Sequence, residues 1–128
     1  MNQKRMNEVE ASNFEHSQKE ICLSYLKKYE EKDLGSIEKM FSEDIVLRDW
    51  KIYVEGKQNA LRETQKNFEA ADSIIIEVLA TYENENTVAA ELKITVNTTE
   101  ELYVVDVISL DERGKIKSIR AYLGRGIE

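Results

Sequence analysis

The sequence predicts an α+β domain in which helices cover one face of an antiparallel sheet. Two observations along the chain predict this fold class. Apolar residues recur with a helical period in the first part of the chain and with a period of two from Ser73 onward. The segments with a period of two are separated by short polar turns, which join antiparallel neighbours. Helices that come first and strands that follow are typical of α+β folds.

The first part of the chain predicts three amphipathic helices. Ser12 and Glu15 have the spacing of a capping box at the start of the first helix. Asp33 is the predicted N-cap of a short second helix, because its carboxylate can accept hydrogen bonds from exposed amides. The third helix is predicted from about Lys57 to Ala70. The buried faces of the three helices, in chain order, consist of Phe14, Ile21, Cys22, Tyr25, Leu26 and Tyr29; of Leu34, Ile37 and Phe41; and of Leu61, Thr64, Phe68 and Ala71.

Strands are predicted in two places. A short strand covers Ile45 to Trp50, between the second and third helices. Four long strands follow at residues 74–80, 88–96, 102–110 and 116–123, where apolar residues alternate with others. Because short turns connect the four long strands, they are predicted to form an antiparallel meander.

Length and charge limit the possible classes of protein. A chain of 128 residues with 41% hydrophobic residues suits one domain, predicted at residues 12–124 between a polar leader at 1–11 and a tail at 125–128. The net charge of −7, without a stripe of Lys or Arg, argues against nucleic-acid binding. No segment has the apolar length of a signal peptide or of a membrane span, so we expect a cytoplasmic protein that does not bind membranes.

Nothing in the sequence points to a metal or an organic cofactor. The chain has no zinc-ligand spacing, no glycine-rich phosphate loop and no nucleophile elbow. Cys22 is the single cysteine and cannot form an intramolecular disulfide, which fits a reducing compartment and a buried apolar role. His16 is the single histidine and is interpreted as a solvated surface residue.

The strand at residues 102–110 contains the sharpest anomaly in the sequence. Asp106 lies in the middle of one strand face, because alternate side chains of a strand point to the same side. The other members of this face are Leu102, Val104, Ile108 and Leu110. A buried carboxylate without a partner is costly and tends to take up a proton. Asp106 is therefore either a functional acid or a structural carboxylate. A structural carboxylate would be paired with another residue, or would lie at an edge of the sheet that is partly exposed to solvent.

The opposite face of the same strand is also apolar. It carries Tyr103, Val105 and Val107. The helices can cover only one face of the sheet, and a strand with two apolar faces needs two covers. A second copy of the chain against the outer face is therefore predicted, which would make the protein a homodimer.

Two further polar residues could act together with Asp106. Tyr25 lies on the buried stripe of the first helix, where its hydroxyl could reach a cavity or be satisfied within an ordinary core. Asp49 ends the short strand and could be a turn residue or a cap. On the sequence alone, both alternatives stay open for each residue.

Three segments resemble a known group of proteins. They are YLKKYEEKDLGSIEKMFSEDIVLRD from Tyr25 to Asp49, Glu55-Gly56-Lys57, and VDVISLDERGKIKSIRAY from Val105 to Tyr122. Together they resemble SnoaL-like and ketosteroid isomerase-like proteins of the nuclear transport factor 2-like (cystatin-like cone) superfamily. The resemblance implies a cone-shaped α+β barrel, with three N-terminal helices packed in the concave face of a strongly curved antiparallel sheet.

The resemblance also implies a site and an activity. Tyr25 matches the oxyanion-hole tyrosine of ketosteroid isomerases, Asp49 the general base, and Asp106 the protonated second oxyanion donor. The implied activity is cofactor-independent enolisation of a small hydrophobic ketone. A SnoaL-like polyketide cyclase or hydrolase and a non-catalytic ligand-binding dimerisation module are the open alternatives. The predicted pocket-lining residues are Tyr29, Phe41, Trp50, Leu61, Phe68, Leu92, Val104, Ile108 and Tyr122.

Overall fold

The computed structural model describes residues 16–126, which form three helices and one six-stranded sheet. The helices are α1 (Gln18–Glu30), α2 (Leu34–Met40) and α3 (Lys57–Ala70). The strands are β1 (Phe41–Arg48), β2 (Tyr53–Glu55), β3 (Ile74–Glu83), β4 (Thr87–Val96), β5 (Glu100–Leu110) and β6 (Ile116–Leu123). Within residues 16–126, no helix is long and apolar enough to cross a membrane. The predicted leader and tail lie wholly or partly outside the described residues, so the domain boundaries stay predictions.

The sheet has the strand order β2-β1-β6-β5-β4-β3. The predicted antiparallel meander is confirmed, because β3, β4, β5 and β6 pair with one another in sequence. One pairing departs from the predicted antiparallel sheet: β1 pairs with β6 in parallel, which makes the sheet mixed. Parallel neighbours need a long connection, and here it consists of β2, α3 and the first three strands of the meander. The sheet is also not closed into a barrel, because β2 and β3 are its two edges.

The first helix that the structure describes, α1, begins at a capping box. The Ser17 hydroxyl accepts a hydrogen bond from the Glu20 amide at 3.1 Å, and the Glu20 carboxylate accepts one from the Ser17 amide at 3.1 Å. The predicted box at Ser12 and Glu15 lies outside the described residues, as does Phe14. The same pattern, Ser-x-x-Glu, recurs at Ser17 and Glu20, where it forms a capping box.

The segment between the second and third helices differs from the prediction in its boundaries. Asp33 caps α2 as predicted, accepting from the Ser36 amide at 3.1 Å. Phe41, predicted on the face of α2, is instead the first residue of β1. The strand ends before Asp49, because the Asp49 side chain binds the amides that follow it and turns the chain into β2. Gly56 then leads into α3 with φ of 93°, a conformation that side chains rarely adopt.

The helices pack against one face of the sheet and bury a continuous core. Cys22, at 0% exposure, lies in this core as predicted and is a free thiol. The other fully buried large residues are Phe41, Ile37, Ile45, Leu92, Ile108, Ile116 and Val88. His16 is exposed, with its ring nitrogen 3.8 Å from the Glu20 carboxylate. The core fills only part of the concave side, and a cavity occupies the rest.

Candidate active site

A cavity of about 590 Å³ lies between α1, α3 and the concave face of the sheet. This volume suits a small organic ligand. Tyr25, Asp49 and Asp106, the three residues predicted to act together, all line it. Most of the sheet wall is apolar and consists of Ile74, Ile76, Leu92, Ile94, Val96, Leu102, Val104, Ile119, Ala121 and Leu123.

Asp106 lies in the middle of β5, and small neighbours leave its carboxyl group open to the cavity. The residues paired with it across β4 and β6 are Ala90 and Ala121, whose methyl groups are too short to cover it. Asp106 is 9% exposed, and its carboxyl group makes no hydrogen bond to any residue within 16–126. Burial, and secondarily the negative charge of Asp49, raise the pKa of Asp106 from 3.8 to about 7. Asp106 can therefore hold a proton near neutral pH.

Tyr25 reaches the same cavity from α1. Its ring is 4% exposed and is held between Phe41, at 6.1 Å between ring centroids, and Tyr29, at 6.0 Å. Burial raises the pKa of the Tyr25 hydroxyl well above 10, and the nearby Tyr29 and Asp106 act in the same direction. The hydroxyl therefore stays protonated, and the described part of the chain offers it no hydrogen-bond partner. It is a donor available to a ligand.

Asp49 lies in the turn between β1 and β2 and is only partly buried. Its Oδ1 accepts hydrogen bonds from the Lys51 amide at 2.7 Å and the Ile52 amide at 2.8 Å. Oδ2 has no protein donor among residues 16–126, so one oxygen fixes the side chain and the other is available to the cavity. Asp49 is therefore a turn residue, one of the two interpretations that the sequence left open, and its side chain also lines the cavity.

The predicted pocket-lining residues divide into two groups. Tyr29, Trp50, Leu92 and Val104 line the cavity. The prediction is wrong for the remaining five, which do not line it: Phe41, Leu61, Phe68, Ile108 and Tyr122. The first four of these five are at most 8% exposed and belong to the packed core beside the cavity.

Tyr122 lies on the outer face of the sheet. Its neighbours along β6, Ala121 and Leu123, line the cavity, and adjacent residues of a strand point to opposite sides. The Tyr122 hydroxyl accepts a hydrogen bond from Arg48, whose guanidinium lies 5.3 Å from the centroid of the Tyr122 ring. The sequence alternation could have excluded Tyr122 from the pocket.

Sequence reasoning missed Asn67, a polar residue of the cavity wall on α3. Asn67 Nδ2 donates a hydrogen bond to the Tyr29 hydroxyl at 3.0 Å. Asn67 lies three residues after Thr64, which was predicted on the buried side of the helix, and that spacing places both on one face. This spacing was the available signal. Asn67 is itself exposed, as asparagine on a helix usually is, so its exposure did not mark it as part of the cavity wall.

The described residues offer no ready metal site. Within residues 16–126, no three His, Cys, Asp or Glu side chains gather closely enough to hold a metal ion. The prediction that the protein needs no cofactor stays a prediction.

Comparison with known proteins finds the fold but no sequence family. No family model matches the chain, and no curated protein matches it significantly. Among solved structures, the chain is similar to the epoxide hydrolase/cyclase-like enzyme SalBIII, with a TM-score of 0.73. SalBIII is described as having a role in pyran ring formation in the polyether salinomycin. The two sequences are 27% identical, and the match covers 84% of this chain and 90% of SalBIII.

Two other solved structures are similar at lower sequence identity. A proposed ketosteroid isomerase from Kribbella flavida DSM 17836 matches with a TM-score of 0.75 and 14% identity, over 87% of this chain and 80% of that protein. A proposed SnoaL-like polyketide cyclase from Shewanella putrefaciens CN-32 matches with a TM-score of 0.75 and 10% identity, over 91% of this chain and 86% of that protein. The chain therefore has the NTF2-like, SnoaL-like fold, an α+β cone.

Proposed function

We propose that the protein is a cofactor-independent enzyme that enolises a small hydrophobic ketone. The observation that carries this proposal is the combination of polar groups in one apolar cavity. Two groups that hold a proton near neutral pH, the Tyr25 hydroxyl and the Asp106 carboxyl, have no hydrogen-bond partner within residues 16–126. A carboxylate oxygen of Asp49 is available in the same cavity.

The proposed reaction moves one proton and one electron pair. Asp49 Oδ2 takes a proton from the carbon next to the ketone carbonyl, and the electrons of the broken C–H bond form a C=C bond while the carbonyl oxygen becomes an oxyanion. Tyr25 and Asp106 donate hydrogen bonds to this oxygen. Fixed donors in a dry cavity stabilise the new charge well because they need not reorganise during the step. Asp49 then returns the proton to the same carbon or to another carbon of the enolate.

The protonation of Asp106 sets the expected pH dependence of this reaction. Asp106 can donate only while it is protonated, and its pKa is about 7. The rate should therefore fall as the pH rises through about 7. A ligand that covers the carboxyl removes more water from it and raises its pKa further, which favours the donor form in the complex.

Exchange of ketone protons for deuterium tests the proposal directly. We expect the protein to accelerate exchange of the α-protons of 2-tetralone in deuterated buffer near pH 6, followed by proton NMR. Asp49→Asn should slow this exchange by about 10²-fold or more, because it removes the base. Asn keeps an oxygen for the Lys51 and Ile52 amides, so the turn is preserved.

Asp72→Asn, at an exposed loop position, is the matched control and should catalyse the exchange at the wild-type rate. If the wild-type rate equals that of buffer alone, the proposal is wrong.

A second candidate function is acid–base opening of an epoxide. SalBIII, at 27% identity, is described as epoxide hydrolase/cyclase-like. The cavity holds two carboxyl groups, the buried Asp106, which can hold a proton near neutral pH, and the partly buried Asp49. Asp106 would give its proton to the epoxide oxygen as the C–O bond breaks. Asp49 would take the proton of the attacking water or hydroxyl group. Hydration of cyclohexene oxide without exchange of 2-tetralone would favour this candidate. A protein that binds ligands but catalyses neither reaction would be the non-catalytic module.

We also propose that two copies of the chain pair through the outer face of β5 and β6. Val105 and Val107 are only half-buried within one chain, which leaves apolar surface beside Tyr122. We expect sedimentation to give the mass of a dimer at micromolar concentration, and Val107→Glu to give a monomer. Val78→Glu, at an exposed position on the far edge strand β3, is the control and should stay dimeric. A monomeric wild-type protein would contradict the proposal.

A further inference from the structure

A second phenol in the cavity has an oriented hydroxyl group that the proposed reaction does not use. The Tyr29 hydroxyl accepts a hydrogen bond from Asn67 Nδ2 at 3.0 Å. A phenol hydroxyl has one proton and can accept as well as donate, so accepting from Asn67 leaves the Tyr29 proton free. No residue within 16–126 accepts that proton, and both Tyr29 and Asn67 line the cavity.

The ring of Tyr29 is fixed from two sides. It packs edge-on against Phe68, with ring centroids 4.9 Å apart and an interplanar angle of 74°. It also packs edge-on against Tyr25, at 6.0 Å and 64°. Such contacts restrict the ring, and the hydrogen bond from Asn67 restricts the direction of the hydroxyl. A donor held in this way loses little entropy when it binds a ligand.

Tyr29 lies one helical turn beyond Tyr25 on α1, and the centroids of the two rings are 6.0 Å apart. It follows Tyr25 by four residues on α1, which is about 6 Å along the helix axis. Tyr25 and Tyr29 therefore point into one cavity from successive turns of the same helix. A flat ligand of two rings spans a comparable distance between oxygens on its opposite ends.

We infer that Tyr29, positioned by Asn67, binds a second oxygen of the substrate, so that the substrate is a diketone or hydroxyketone rather than a simple ketone. This inference rests on the proposed function, because it takes the first oxygen to be held by Tyr25 and Asp106. Tyr29 acts in binding and selection, and Asn67 is a positioning residue for it.

Binding of paired phenols tests the inference. The probes are 2-naphthol, which has one hydroxyl group, and 2,6- and 2,7-dihydroxynaphthalene, which carry a second one on the other ring. Dissociation constants are measured by calorimetry at about pH 6 for the wild type, Tyr29→Phe, Asn67→Ala and Tyr25→Phe. One added neutral hydrogen bond is worth roughly a five- to tenfold change in affinity. We expect the wild type to bind at least one of the diols roughly five- to tenfold more tightly than 2-naphthol.

The variants separate the inference from the proposed function. Tyr29→Phe should remove the preference for the diol, Asn67→Ala should reduce it, and Tyr25→Phe should weaken 2-naphthol and the diols alike. Tyr82→Phe, on the exposed side of β3, is the control and should match the wild type. Equal affinity of the wild type for the diols and 2-naphthol, or a diol preference that survives Tyr29→Phe, overturns the inference while the proposed function stands. If 2-naphthol does not bind, or Tyr25→Phe does not weaken it, the proposed function fails and the inference fails with it.

Discussion

Replacing Asp106 by Asn is expected to stabilise the fold by up to about 4 kcal/mol at about pH 8. Burial raises the pKa of Asp106 from 3.8 to about 7 in the folded protein. Between about pH 4 and pH 7 the folded protein keeps a proton that the unfolded chain has released, so stability falls as the pH rises through that window. Above pH 7 the buried carboxylate is charged, and the fold has then lost the full amount of stability that this ionisation costs. Asn does not titrate and avoids this loss.

Urea unfolding at two pH values measures this effect. The advantage of Asp106→Asn over the wild type should grow by about 2 kcal/mol between about pH 5.5 and pH 8. Asp72→Asn makes the same chemical change at an exposed position and should show no such growth. A constant difference between Asp106→Asn and the wild type at the two pH values would mean that Asp106 is as ionisable in the folded protein as in the unfolded chain.

Replacing Tyr25 by Phe is expected to lower the rate of 2-tetralone exchange by about 10²–10³-fold, the usual effect of removing one oxyanion donor. Phe keeps the ring that packs between Phe41 and Tyr29, so the fold and the cavity should be preserved. The effect should fall on the rate at saturating ketone, because the developing oxyanion needs the donor more than the ground-state carbonyl does.

Tyr82→Phe is the matched control for Tyr25→Phe. Tyr82 is 60% exposed and donates to Glu91 on the neighbouring strand, so its replacement should leave the exchange rate unchanged. An exchange rate for Tyr25→Phe within twofold of the wild type, with an unchanged melting temperature, would remove Tyr25 from the proposed reaction.

The elements that the sequence could predict are those with a local repeat. The periodic apolar faces of α1 and α3, and the alternation along β3 to β6, each extend over at least two helical turns or seven residues. Strand β2 has three residues and leaves no such pattern. The parallel pairing of β1 with β6 joins residues about seventy positions apart, and nothing in either strand alone specifies that partner.

A residue of the candidate site can be predicted from the sequence when its polarity differs from that of its neighbours on the same face. Asp106 interrupts an apolar strand face, and this conflict is visible without a structure. Asn67 does not conflict with anything, because a polar residue on a helix is ordinary, and only the packing of α3 over the cavity makes it part of the site. Ile108 lies on the same strand face as Asp106, and the alternation of the strand does not separate the two. The structure does: Ile108 is 0% exposed and belongs to the packed core, whereas Asp106 lines the cavity.

The proposed reaction depends most on an Asp106 carboxyl group that holds a proton near neutral pH inside the cavity. Carbon-13 NMR of the aspartate carboxyl groups, with Asp106→Asn used to assign the signal, measures its titration directly. We expect a midpoint at about pH 7, and a higher midpoint when 2-naphthol is bound. A midpoint close to 4, as for an exposed aspartate, would contradict it.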